Sequence, residues 1–182
     1  MSPLASSFEP ILTRVAGVTF DNRDGTPRQP FIRRVRKDDR LTLVREPENP
    51  YDANAIAVAW HDAAGDVHQV GYVPRALAGV LAPLMDDGVP LTALAVRAQK
   101  VPRHGVFARP IWALRMAVHG DFRSLPARHV SGLEPAVEAA VLAVEADWEA
   151  SLAPALGGGH AQPELPAAPV RARRRVKTSG GP

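Results

Sequence analysis

The residues of this chain best placed to do chemistry are Tyr51 and Asp52, an aromatic ring with a hydroxyl beside a carboxylate. They lie in Arg45-Glu46-Pro47-Glu48-Asn49-Pro50-Tyr51-Asp52-Ala53-Asn54, where one strand ends and, after a tight polar turn, another begins. Pro47 and Pro50 each fix φ and push the residue before them into an extended conformation. Asn49, Asp52 and Asn54 can close Asx turns through their own side chains. A segment this rigid holds ring and carboxylate in fixed places, an arrangement suited to gripping a flat ring and a sugar hydroxyl together.

Other chemistries find little support. There are no cysteines, so disulfides and thiolate metal sites are excluded. The histidines at 61, 68, 104, 119, 129 and 160 are scattered without metal-ligand spacing. No Walker-type loop, Gly-x-Ser-x-Gly or His-Glu-x-x-His occurs, and Asp52 has no adjacent base in sequence. A hydrolase or nuclease is therefore the weakest reading, and no cofactor or metal is expected. The first residues lack a basic segment followed by an apolar run, and no stretch approaches the roughly 20 apolar residues of a membrane span. The expectation is a soluble cytoplasmic protein without a membrane partner.

Charge is uneven. The net charge is +3 over 182 residues, yet residues 156–182 alone carry five Arg or Lys against Glu164, leaving residues 1–155 slightly acidic. Within that body, residues 14–45 hold nine Arg or Lys against four Asp. A local basic face of this kind is what contact with phosphate requires.

The elements that must position the turn follow from periodicity and punctuation. Strands are expected over 12–20, 41–45, 54–60, 67–73, 91–99 and 111–118, with a short one over 31–35. Pro74-Arg75 opens a helix to about residue 86, with Leu77, Val80, Leu81 and Leu84 as its buried stripe and Asp86-Asp87-Gly88 as its end. Ser131-Gly132-Leu133-Glu134 reads as a capping box before a helix over 131–153, whose apolar positions are Leu133, Val137, Val141, Val144, Trp148 and Leu152. That helix either docks on the strands or meets a partner. Residues 1–11 read as a loose lead-in and 156–182 as a disordered basic tail. Short strands with one packed helix indicate a mainly β protein, a compact barrel.

Four blocks resemble the HIRAN domain family in order and spacing: Gly17-Val18-Thr19-Phe20, the block Arg45 to Asp52, Asn54-Ala55-Ile56-Ala57-Val58, and Gly71-Tyr72-Val73-Pro74-Arg75. The resemblance spans residues 12–120. It implies a modified OB-like barrel and capture of a single-stranded DNA end by its free 3′ hydroxyl, in DNA repair or stalled-fork handling, with a repair helicase or nuclease as possible partner. On that reading Tyr51 or Phe20 stacks on a base, Asp52 accepts a hydrogen bond from the 3′ hydroxyl, and Asn49 meets a base edge. Arg75 binds phosphate from the helix start, and Tyr72 adds a phosphate or sugar contact.

The chain departs from the eukaryotic members, which have an arginine where Thr19 stands and a histidine where Tyr72 stands. Arg23, Arg28 and the cluster Arg33, Arg34, Arg36 and Lys37 are the basic residues available to replace those phosphate contacts. Each assignment has a purely structural alternative. Asp52 and Asn54 would cap the turn, Tyr51, Tyr72 and Phe20 would belong to the core or its edge, and the arginines would be solvated. A further functional alternative is a protein-interaction adaptor whose basic tail binds nucleic acid without specificity.

Overall fold

The computed structural model describes residues 10–102, 109–120 and 132–152. Six strands form one antiparallel sheet: β1 (Ile11–Arg14), β2 (Arg40–Arg45), β3 (Ile56–His61), β4 (Val67–Tyr72), β5 (Leu91–Val101) and β6 (Ile111–Gly120), in the order β1-β6-β5-β2-β3-β4. Among the described residues three helices accompany it: α1 (Gln29–Ile32), α2 (Arg75–Asp86) and α3 (Leu133–Leu152). The mainly β class with a packed helix is as expected. The ladders do not close into a full barrel. One isolated bridge joins the two edges, with Ala16 and Tyr72 exchanging both backbone hydrogen bonds at 2.8 and 3.0 Å.

That bridge depends on two local features. The β3–β4 register slips between Val58 and Ala59, an irregularity that bends the ladder. Gly71 then lets the Ala16 carbonyl lie against it, where a β-carbon would overlap both Ala16 O and Val15 Cγ1.

The core follows from the alternation. Leu41 and Leu43 of β2, Ile56, Val58 and Trp60 of β3, and Leu114, Met116 and Val118 of β6 face inward against Leu77, Leu81 and Leu84 of α2. On β5 the buried residues are Ala93, Ala95 and Val101, while Leu94 and Val96 are half-buried.

Two expectations need correction. Residues 31–35 are not a strand: Pro30 occupies the first turn of α1, where its missing N–H costs nothing, and Ile32 and Val35 are both buried at a spacing of three, which suits a helical turn. The first strand ends at Arg14 instead of continuing to Phe20. Gly17 turns the chain at φ +67°, and the Phe20 N–H donates to the Gly17 carbonyl.

Helix α3 docks on α2 and β1 through Leu133, Val137, Ala140 and Val144, with Val141 partly buried against the same core. Arg14 reinforces this contact, pairing with Glu145 at 3.0 Å and stacking over the Trp148 ring at 4.4 Å. Ser131 of the expected capping box, most of the 1–11 lead-in and the 156–182 tail lie outside the described residues. Among the described residues no helix is long and apolar enough to cross a membrane.

Candidate nucleic-acid interface

The turn between β2 and β3 is rigid by its own hydrogen bonds. Asn49 Oδ1 accepts from the Tyr51 N–H at 3.0 Å, and Asp52 Oδ1 accepts from the Asn54 N–H at 2.9 Å. The base of the turn is closed by Glu46 N–H to Ala55 O at 2.9 Å. Arg45 clamps it from outside. Its Nη1 and Nη2 donate to the carbonyls of Ala55 and Ala53, and Nε and Nη2 fork onto Asp86 at the end of α2, both at 2.9 Å. A planar guanidinium can hold four acceptors this way and an ammonium cannot.

The Arg45 hydrogen bonds hold the Asp86 carboxyl below its ordinary 3.8. Because the folded value is the lower one, this stabilisation is complete above the unfolded value and is lost as pH falls through about 4 and below. Thermal melts of wild type and Asp86→Asn from about pH 7 to about pH 3 should therefore show wild type more stable at neutral pH, with the gap closing on acidification. Parallel curves would remove Arg45–Asp86 as a pH-dependent brace.

Asp52, with its side chain 20% exposed, offers Oδ2 at 3.7 Å from Nε of Arg75, whose side chain is 82% exposed. Tyr51 is 64% exposed and Phe20 55%, so neither is a core residue. The exposed ring of Tyr51 thus adjoins a carboxylate whose second oxygen meets, among the described residues, a loose ion pair. Phe20 and Arg75 also line one groove of about 420 Å³, between the loop after β1, the start of α2, and α3.

Asn49 and Tyr72 are engaged differently. The Asn49 amide and the Tyr72 hydroxyl both donate to Glu46 Oε2, at 2.8 and 3.2 Å, so both serve the turn in this structure. Tyr72 is half-buried, with the Arg28 guanidinium 5.1 Å from its ring centre. Glu46 is a junction that sequence reasoning missed; it stood within the recognised block without an assigned partner.

The basic residues separate into three groups. Arg28 is 5% exposed, with Nε on Asn22 at 2.6 Å and Nη1 on the Gly17 carbonyl at 2.8 Å. Burial is the main cause lowering its pKa, opposed by Tyr72, Glu46 and Asp21. It pins the Gly17 loop from inside, where a DNA backbone does not reach. Arg23 is exposed in the Asn22–Thr26 turn. Arg33 and Arg34 are exposed beside the β3–β4 hairpin, where Arg34 pairs with Asp62 at 3.2 Å and covers Trp60. That end of β3 is about 17 Å from the Ile56 end that carries the turn. The structure therefore unites Phe20, Tyr51, Asp52, Asn49, Tyr72 and Arg75 in one region and leaves Arg33 and Arg34 outside it. Beside Arg34, ligand atoms of Asp62, Asp66 and His68 lie within 4.8 Å of one another, but Asp62 Oδ2 is already bonded to Arg34 and to His68.

Residues 13–103, half of the chain, match the family model for the HIRAN domain. The chain belongs to the HIRAN domain family. HIRAN domains are DNA-binding modules. Over 53 residues the chain is 45% identical to helicase-like transcription factor of Oryctolagus cuniculus, covering 29% of this chain and 5% of that protein's length. Among solved structures, the crystal structure of the HIRAN domain of human HLTF is similar at 22% identity and TM-score 0.43, covering 73% of this chain and 89% of that one. A crystal structure of a protein from Lactobacillus plantarum is similar at 21% identity and TM-score 0.43, covering 61% and 94%. Helix α3 lies beyond the matched HIRAN segment.

Proposed function

We propose that this chain captures single-stranded DNA by its free 3′ end, in repair or stalled-fork handling beside a helicase or nuclease. The observation that carries the reading is Asp52. The turn fixes its carboxylate through Oδ1, while among the described residues Oδ2 faces the loose Arg75 contact, beside the exposed ring of Tyr51 and with Phe20 across the groove that Arg75 lines.

A terminal nucleotide supplies a base for one ring and a sugar hydroxyl for Oδ2. Arg75, which is mobile enough by exposure to leave Asp52, takes the adjacent phosphate. A continuous strand places a phosphate where the hydroxyl would be, and the carboxylate repels it. Asp52 so reads an end and no sequence, and Arg75 keeps Asp52 neutralised while the site is empty. Catalysis is not part of this reading. Similarity to a helicase-like protein supports the setting beside a helicase.

Fluorescence anisotropy of the full chain tests it, with one labelled oligonucleotide carrying either a 3′ hydroxyl or a 3′ phosphate. The basic tail binds both alike, so only the ratio matters. Wild type should prefer the hydroxyl by about tenfold or more, the scale of a hydrogen bond to a charged group. Asp52→Asn keeps an oxygen for the Asn54 N–H and loses the charge, so the ratio should fall toward one. Equal binding by wild type would refute end recognition.

A further inference from the structure

The groove of about 420 Å³ is walled on one side by the Gly17–Phe20 loop and Arg75, and on the other by Val144, Asp147 and Trp148 of α3. We propose that it is a second base pocket, added to the DNA site by α3, which takes the nucleotide next to the captured 3′ end; this rests on the end-capture reading.

Four observations lead there. The volume lies within the range of small-ligand clefts and accommodates a base with its sugar. Arg75 belongs to both places, lining the groove and standing 3.7 Å from Asp52, so the groove begins where the end site stops. The walls carry two aromatic rings, Phe20 and Trp148, and the stack of Arg14 on Trp148 at 4.4 Å sets the orientation of the indole. Arg14, which also lines the groove, is itself held by Glu145 at 3.0 Å, so the wall that presents the Trp148 ring is braced.

Charge decides which part of the nucleotide enters. Helix α3 carries Glu134, Glu138, Glu145, Asp147 and Glu149 and no Lys or Arg. Glu145 is neutralised by Arg14 and Arg115, at 3.0 and 3.9 Å. Asp147 stands in the groove wall, and its carboxylate repels a phosphate but accepts a hydrogen bond from a base. The base therefore points into the groove while its phosphates stay outside, on the Arg75 side. Sequence-tolerant stacking of this sort is how single strands are held generally. Here the platform comes from a helix beyond the HIRAN segment.

The test uses the full chain and oligonucleotides with a free 3′ hydroxyl whose second residue from the end is either normal or abasic. Wild type should lose on the order of tenfold in affinity for the abasic strand. In Trp148→Leu, which keeps apolar packing against Arg14 and removes the ring, the two strands should bind nearly alike. Trp148→Phe should retain most of the difference, and thermal melts of both variants check that they are folded. An abasic penalty undiminished in Trp148→Leu, or absent from wild type, overturns the pocket. The ratio of 3′ hydroxyl to 3′ phosphate binding, measured alongside, separates the two readings. If that ratio persists without an abasic penalty, the pocket fails and end capture stands. If a Trp148-dependent penalty appears without end preference, end capture fails and the pocket stands as a base site. Binding of neither strand overturns both.

Discussion

Gly71→Ala should be among the most destabilising single substitutions in this protein, costing about 3 kcal/mol or more. The new β-carbon overlaps the Ala16 carbonyl oxygen and Val15 Cγ1. One obstacle is backbone, so a rotamer change cannot relieve it. Relief requires Ala16 to move off Tyr72, which breaks both hydrogen bonds of the only bridge joining the two edges of the described sheet. For a chain of this size the melting temperature should fall by on the order of 10 °C. Gly65→Ala is the matched control. It too has positive φ, +89°, but an added β-carbon there meets nothing within 4 Å, so only backbone strain of about 1–2 kcal/mol remains. Equal melting temperatures for the two variants would mean that the Ala16–Tyr72 bridge contributes little. Gly71→Ala should also weaken DNA binding, because Tyr72 and the Gly17–Phe20 loop both hang on that bridge.

The contrast between these glycines shows what could be read from sequence and what could not. The Gly-Tyr-Val-Pro-Arg block marked Gly71 as part of a family pattern, but its reason lies in a residue 55 positions earlier, and no local signal points there. Helix α2 was legible to the residue because Pro74 starts it, its apolar positions repeat every three to four, and Asp86-Asp87-Gly88 stops it. Strands β2 and β6 were legible from alternation. Segment 31–35 was misread because its arginines hide the two apolar residues, Ile32 and Val35, whose spacing of three carries the helical signal.

The site divides in the same way. Tyr51 and Asp52 were legible because the prolines and Asx turns that hold them are local. The pairing of Arg75 with Asp52 needed the fold, since the two lie 23 positions apart in sequence. The fates of Tyr72, Asn49 and Arg28 were hidden. Their partners are Glu46, the Gly17 carbonyl and a tyrosine ring, and three of these contacts span between 11 and 44 positions of chain. A basic residue in a basic segment reads as solvated or phosphate-binding, and burial of one among nine is decided by long-range packing. For α3, periodicity showed which face is apolar but not that Trp148, at the far end of that face, would wall a groove beside Phe20.

The largest effect on binding should come from the two exposed rings. Phe20→Ala and Tyr51→Ala should each weaken single-stranded DNA by about 1–3 kcal/mol, between about fivefold and 150-fold. Neither should change stability much, since each side chain is more than half exposed and substitutions at such places usually stay within about 0.5 kcal/mol. Because no charge is removed, the slope of log affinity against log salt should be unchanged, unlike Arg75→Ala, which should lower it by about one contact. The double variant tells how the rings are used. If they hold different bases, the losses add and binding falls by on the order of a thousandfold. If they clasp a single base from two sides, the second substitution costs little after the first, because the base has already lost its place. Their separate elements, the loop after β1 and the turn before β3, favour different bases, and additive losses are the expected result. A double variant that binds like wild type would show that DNA is held by charge alone, and would return these rings to the status of ordinary exposed apolar surface.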